Sequence, residues 1–213
     1  MMRILTISGI IFTSALIISL FSVSAFGSSH NSRVCTIANS PSTVVDDASY
    51  GFGVWTNPQN AIASDNAYAT RFEPPMGGFT HYLKATNFGF SIPVDVVVKG
   101  IVAEVEMRSS RNDVAGYIFD ERVRIVKNGI VGNIDKARSP MIHWPTTDTY
   151  ISYGSSTDLW GEAWMPVDIN SSNFGVVIAA DVLPALGDIT AFVDHIRLTV
   201  YYQSARGNKK ICN

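Results

Sequence analysis

Glu104 and Glu106 are one residue apart in the run Ile101-Val102-Ala103-Glu104-Val105-Glu106-Met107-Arg108. On an extended strand this spacing puts both carboxylates on one face, on the order of 7 Å apart, a separation at which paired acids cleave glycosides. No further acid follows on the strand, and Arg108 beside the pair favours a salt-bridged solvent face over hydrolysis. The four histidines, His30, His81, His143 and His195, show neither a His-x-His nor a His-Glu-x-x-His spacing. Asp194 and His195 are adjacent, and neighbours on a strand point to opposite faces, so they form no direct dyad. There is no Gly-x-Ser-x-Gly elbow, phosphate-binding loop or dinucleotide fingerprint. The chain is therefore not expected to be an enzyme.

Ligand chemistry is more legible. Trp144, Trp160 and Trp164 fall close together with Tyr150 and Tyr153 in a Gly- and Pro-containing stretch. Rings on loops at the end of a β-fold can stack on sugar faces, and Asp148, Asp158 or Glu162 could hold the hydroxyls. The ordinary reading of the same rings is that they fill the core. Asp46, Asp47 and Asp65 lie in turn-like segments, and Asp194 falls on an apolar strand face where a carboxylate must be paired, protonated or metal-bound. These four are the candidate oxygen ligands for calcium, although no Asp-x-Asp-x-Asp-Gly loop assembles them.

The elements that would position these groups are strands. The chain has 213 residues, is 46% hydrophobic and only 16% charged, and carries a formal net charge of -2. That balance excludes disorder and coiled coil, and the lack of a basic stripe makes nucleic acid a poor partner. β-Rich runs recur between Gly, Pro, Asn and Asp clusters: 50–55, 68–72, 81–86, 99–108, 116–127, 150–153, 174–182 and 189–202. Several alternate with period two, and none holds a 3.6-residue stripe. In the last run, Thr190, Phe192, Asp194, Ile196, Leu198, Val200 and Tyr202 would share one face. Asn128-Gly129 supplies the pair for a type I′ hairpin. About eight strands without βαβ alternation predict an all-β antiparallel sandwich of jelly-roll type over 43–203.

At the N-terminus, an apolar stretch behind Arg3 ends in Val23-Ser24-Ala25, the small-x-small form of a signal-peptidase site. Residues 1–25 thus read as a signal peptide, with an uncleaved anchor as the alternative, and no stable membrane insertion is expected after cleavage. Residues 26–42 are Ser- and Asn-rich and read as an N-terminal arm, and 204–213 as a basic tail. Cys35 and Cys212 lie near the two ends of the exported domain, where an oxidising compartment would let them form a disulfide. Two cysteines without nearby histidines make no zinc site.

At Trp55-Thr56-Asn57-Pro58-Gln59-Asn60-Ala61, Ser64-Asp65-Asn66, Tyr68-Ala69-Thr70, Asn87-Phe88-Gly89-Phe90-Ser91-Ile92-Pro93, Thr157-Asp158-Leu159-Trp160-Gly161, Asp168-Ile169-Asn170 and Val193-Asp194-His195-Ile196, the chain resembles a module of phage structural proteins and secreted bacterial proteins. The resemblance spans about 43–203 and implies a β-sandwich in a surface or virion context, with no attached activity. The Asn60-Ala61 and Asp65 segment is also similar to the early loop of galactose-binding-like domains such as discoidin, where calcium is often held. The sequence thus leads to a secreted or surface-exposed non-catalytic module that binds a glycan or surface polymer. The alternative is a structural protomer that self-associates in a surface or appendage assembly, and the third reading is a glycan-active enzyme.

Overall fold

The computed structural model describes residues 34–73, 77–139, 142–184 and 187–205. The strands are β1 (Val34–Asn39), β2 (Thr43–Asp47), β3 (Ala69–Glu73), β4 (Gly78–Phe79), β5 (Tyr82–Thr86), β6 (Val96–Ser109), β7 (Gly116–Lys127), β8 (Ile130–Val131), β9 (Thr149–Ser155), β10 (Gly175–Pro184) and β11 (Ile189–Ser204). A 3-10 turn at Pro58–Ala61 and a short helix α1 (Pro166–Ile169) interrupt them. The expected signal peptide and most of the basic tail, with Cys212, lie outside the described residues.

Two antiparallel sheets form the sandwich. Sheet A runs β1-β11-β6-β9, with β3 also against β11, and sheet B runs β2-β5-β10-β7-β8, with β4 also against β10. Four pairings are nested: β1 with β11, β5 with β10, β6 with β9 and β7 with β8. A chain paired first with last, second with second-last and so on is one long hairpin. Rolling it up adds the β11–β6 and β10–β7 pairings, and the result is the jelly roll that the alternation predicts. The innermost turn is the expected one. Asn128 and Gly129 have φ of 53° and 83° between Lys127 and Ile130, so both central residues adopt the positive φ of a type I′ turn.

The long strands change faces partway along. In β6 the core-facing residues are Val96 and Val98, then Ile101, Ala103, Val105 and Met107. In β7, Ile118 is followed by Val123 and Ile125, and in β11, Ile189, Ala191 and Val193 are followed by Ile196, Leu198 and Val200. Each switch is a bulge in which one residue is skipped by the register: Lys99, Glu121 and Asp194. All three are charged; Lys99 and Glu121 are half-buried, whereas Asp194 is buried. This corrects the face predicted for the last strand. Thr190 and Phe192 point outward, on the same side as His195 and Arg197, because the bulge at Asp194 intervenes.

Two other expectations change. Part of the supposed arm at 26–42 is β1, whose Cys35 and Ile37 alternate inward against β11; its Ser and Asn neighbours hide a run of β-formers from composition. The run 50–55 is no strand. Only Gly53 forms an isolated bridge, to Thr80, and a Cβ at Gly51 would lie 2.0 Å from the Thr80 carbonyl oxygen, so this segment is a loop pressed against its neighbour. Among the described residues there are eleven strands, because β2, β3 and β4 are short additions to the eight of the roll.

Candidate functional site

Three rings of the predicted aromatic platform turn inward. Trp144 is 0% exposed, Trp160 1% and Tyr153 3%. Trp144 Nε1 donates to Asp120 Oδ1 at 2.9 Å and Tyr153 Oη to Asp120 Oδ2 at 3.1 Å. Arg138 closes the same carboxylate through its Nε (2.8 Å), Nη2 (3.1 Å) and backbone N–H (3.1 Å). Asp120 is therefore a buried hub for two rings and a guanidinium, and burial beside its charge pushes the Tyr153 phenol well up. Trp160 Nε1 donates to the Ile101 carbonyl at 2.9 Å. Gly154 makes room for that indole, since a Cβ there would lie 2.8 Å from Trp160 Nε1. Trp164 is half-buried, donates to the Leu159 carbonyl at 2.9 Å, and meets Phe174 edge-on. Asp158 caps the Trp160 N–H and pairs with Lys136. Trp144, Trp160 and Tyr153 are thus core rings with covered faces, while Trp164 is half-buried.

The four acids expected to hold calcium are not brought together. Asp46 accepts from the Trp55 N–H and pairs with His81 Nδ1 at 2.8 Å, and Asp47 pairs with Lys84 at 3.0 Å. Both belong to sheet B. Asp65 caps Ala67 in the loop that crosses sheet A, and Asp194 accepts from the Asn66 N–H at 3.2 Å. Among the described residues no three His, Cys, Asp or Glu side chains stand together as a cation cage. Asp194 is buried at 2% exposure, and its Oδ1 meets no hydrogen-bond partner among the described residues. Cys35 is buried on β1. The expected partner, Cys212, lies outside the described residues.

The residues that do converge lie on the outer face of sheet A. His195, turned outward by the bulge, is 7% exposed and forms hydrogen bonds at both ring nitrogens: Nε2 with Ser40 Oγ at 2.8 Å and Nδ1 with Tyr150 Oη at 2.7 Å. Ser40 is exposed, at the end of β1. Ile62, on the loop after the 3-10 turn, forms an isolated antiparallel bridge to His195. Beyond the phenol stands Glu106, whose Oε2 is buried without a partner among the described residues. Burial raises the Tyr150 phenol, Ser64 opposes this, and Glu106 adds to it. Arg197 lies over the Tyr150 ring at 4.4 Å and holds Glu104 with two hydrogen bonds of 2.7 and 2.9 Å. Burial holds His195 below its ordinary value despite Glu106, so the imidazole is neutral at pH 7.

Sequence reasoning picked out Tyr150, Glu106 and His195 singly and never joined them, and it passed over Ser40. No local spacing could have joined Ser40 to a histidine on the last strand. The only available signals were the nesting of first strand with last and the Ser40-Pro41 turn that ends β1.

No family model matches the chain, and no curated protein matches it. Among solved structures, that of a marine algae virus of the order Picornavirales aligns with 81% of this chain and 69% of its own at 13% identity, with a TM-score of 0.18. A TM-score that low carries no argument, and the jelly roll stands on the strand order.

Proposed function

We propose that the chain is an exported structural protomer, a jelly roll that joins copies of itself through the outer edge of β9. The edges of sheet B are blunted. β2 ends in Asp46-Asp47, and β8 is only two residues long. Charge and shortness are the devices by which sheets avoid adding strands. β9 has neither. Thr149–Ser155 contains no charge and no proline, it is the last strand of sheet A, and among the described residues the only backbone bond at its outer side is from the Asp158 N–H to the Ser155 carbonyl. This bare edge carries the proposal.

A second copy fits it by symmetry. Antiparallel self-pairing centred on Ile151 sets Thr149 opposite Tyr153 and places the two Ile151 side chains together. Ile151 packs half-buried at the margin of the core, on its inner side, so pairing would extend one apolar layer across the two-fold axis. The signal-like N-terminus and the resemblance to phage and secreted structural modules support an assembly outside the cell. Light scattering on the exported protein tests the reading. Wild type is expected to run as a dimer or larger, and Ile151→Lys as a monomer that keeps its β-sheet circular dichroism. A monomeric wild type at high micromolar concentration would overturn it.

The glycan-binding reading retains one observation. A groove of about 270 Å³ at the β7–β8 hairpin is lined by Asn128, Ile130, Asn133 and Glu162, a mixed apolar and polar surface of the kind that suits a sugar ring.

A further inference from the structure

Going beyond the structural role, we infer that Ser40 is an activated nucleophile, with His195 as its general base and Tyr150 as the group that positions the base, and that it accepts acyl groups from carboxylic esters. The argument is one of proton direction. A serine hydroxyl is weakly nucleophilic until a neutral base can take its proton in the attack, and the base must present an unprotonated nitrogen to it. The neutral imidazole carries one proton, so the partner of Nδ1 decides what Nε2 presents. Tyr150 Oη lies 2.7 Å from Nδ1, and its phenol is raised by burial and by Glu106 and lowered by Ser64. We take Tyr150 Oη as the acceptor of Nδ1–H. Nε2 is then left as the acceptor for Ser40 O–H at 2.8 Å. The chain of hydrogen bonds thus runs from Ser40 through His195 to Tyr150.

The surroundings fit this assignment. His195 is almost fully buried, so its geometry is held on both sides, while Ser40 at the other end of the hydrogen bond is exposed to an incoming reagent. Ile62, 40% exposed and bridged to His195, offers an apolar flank for the acyl chain. In the reaction, Ser40 Oγ bonds to the ester carbonyl carbon as its proton passes to His195 Nε2. The carbon–alkoxy bond then breaks, and the departing alkoxide takes that proton and leaves as the alcohol. Water reverses the sequence slowly and frees the carboxylic acid.

The test uses the intact protein with two probes, p-nitrophenyl acetate and an alkyl fluorophosphonate, which loses fluoride as its phosphorus bonds to oxygen. The expected result is one adduct per chain, mapped to Ser40 by peptide mass spectrometry and absent in Ser40→Ala, an exposed position whose fold is not at stake. His195→Gln should slow labelling by roughly 100-fold or more, the usual contribution of a general base. Tyr150→Phe removes the acceptor for Nδ1–H and should shift the pH profile of labelling as well as its rate, which a merely structural loss would not do. An unlabelled wild type, adducts spread over other hydroxyls, or equal labelling of wild type and Ser40→Ala would overturn the inference.

Discussion

Asp120 and Asp181 are carboxylates on neighbouring strands of one sheet, a residue apart in the register, with Asp120 opposite Ala180 and Asp181 opposite Phe119. Asp120 faces the sandwich interior and Asp181 the outside of sheet B, yet the interior acid is the better solvated of the two. Asp120 accepts from Arg138, Trp144 and Tyr153. Asp181 has a buried Oδ1 without a partner among the described residues, and burial, with the nearby charge of Glu121, pushes its carboxyl up to about 6. Outside the sheet lies a second, small apolar cluster of Tyr82, Val126, Val177 and Ala179, with Tyr50 and Val131 packed on it. Tyr50 leans over this cluster and gives its hydroxyl hydrogen bond to Glu121 instead of Asp181. Interior or exterior placement does not decide the cost of a charge; the supply of donors does.

The largest way to break this comparison is Asp120→Ala. It strands the Arg138 guanidinium and two buried ring donors at once, and removing one partner of a buried ionic network costs about 3 to 5 kcal/mol. Urea unfolding followed by tryptophan fluorescence reads the loss, and a cost near zero would mean that the hub is ornamental.

A smaller change sharpens the other side. The folded-state pKa of Asp181 is raised, so the folded protein binds its proton more tightly than the unfolded chain does. The resulting contribution to stability is fully present below the ordinary carboxylate range near 4 and is lost as pH rises through about 6. Asp181→Asn keeps the shape and removes the titration. It should raise the melting temperature at pH 7, leave it nearly unchanged at pH 4, and flatten the slope between. An identical pH profile in wild type and mutant would show that Asp181 finds donors in solution.

The same contrast explains what the sequence could and could not reveal. Period-two alternation in Ile101, Ala103, Val105 and Met107 disclosed the strand, the buried face and the all-β class, and Asn128-Gly129 disclosed its hairpin, because both signals are local. The bulges at Lys99, Glu121 and Asp194 were invisible, since a skipped residue is defined only by the partner strand. A single skipped residue inverts every later side chain, which is why Thr190 and Phe192 were placed on the wrong face. The candidate site fared worse for a related reason. Trp144, Trp160 and Tyr153 looked like a loop-end cluster while their acceptors, Asp120 and the Ile101 carbonyl, lay far away in the chain. Ser40 and His195 meet only because the first and last strands of the roll are paired.

The central claim, that sheet A ends in an edge made to be continued, is tested most directly by amide hydrogen exchange across a range of protein concentrations. The account predicts that amides of Thr149–Tyr153 become slower to exchange as concentration rises, while those of Thr43–Asp47 on the charged edge of sheet B stay unchanged. Slowing that is absent at β9, or that appears equally at β2, would contradict it.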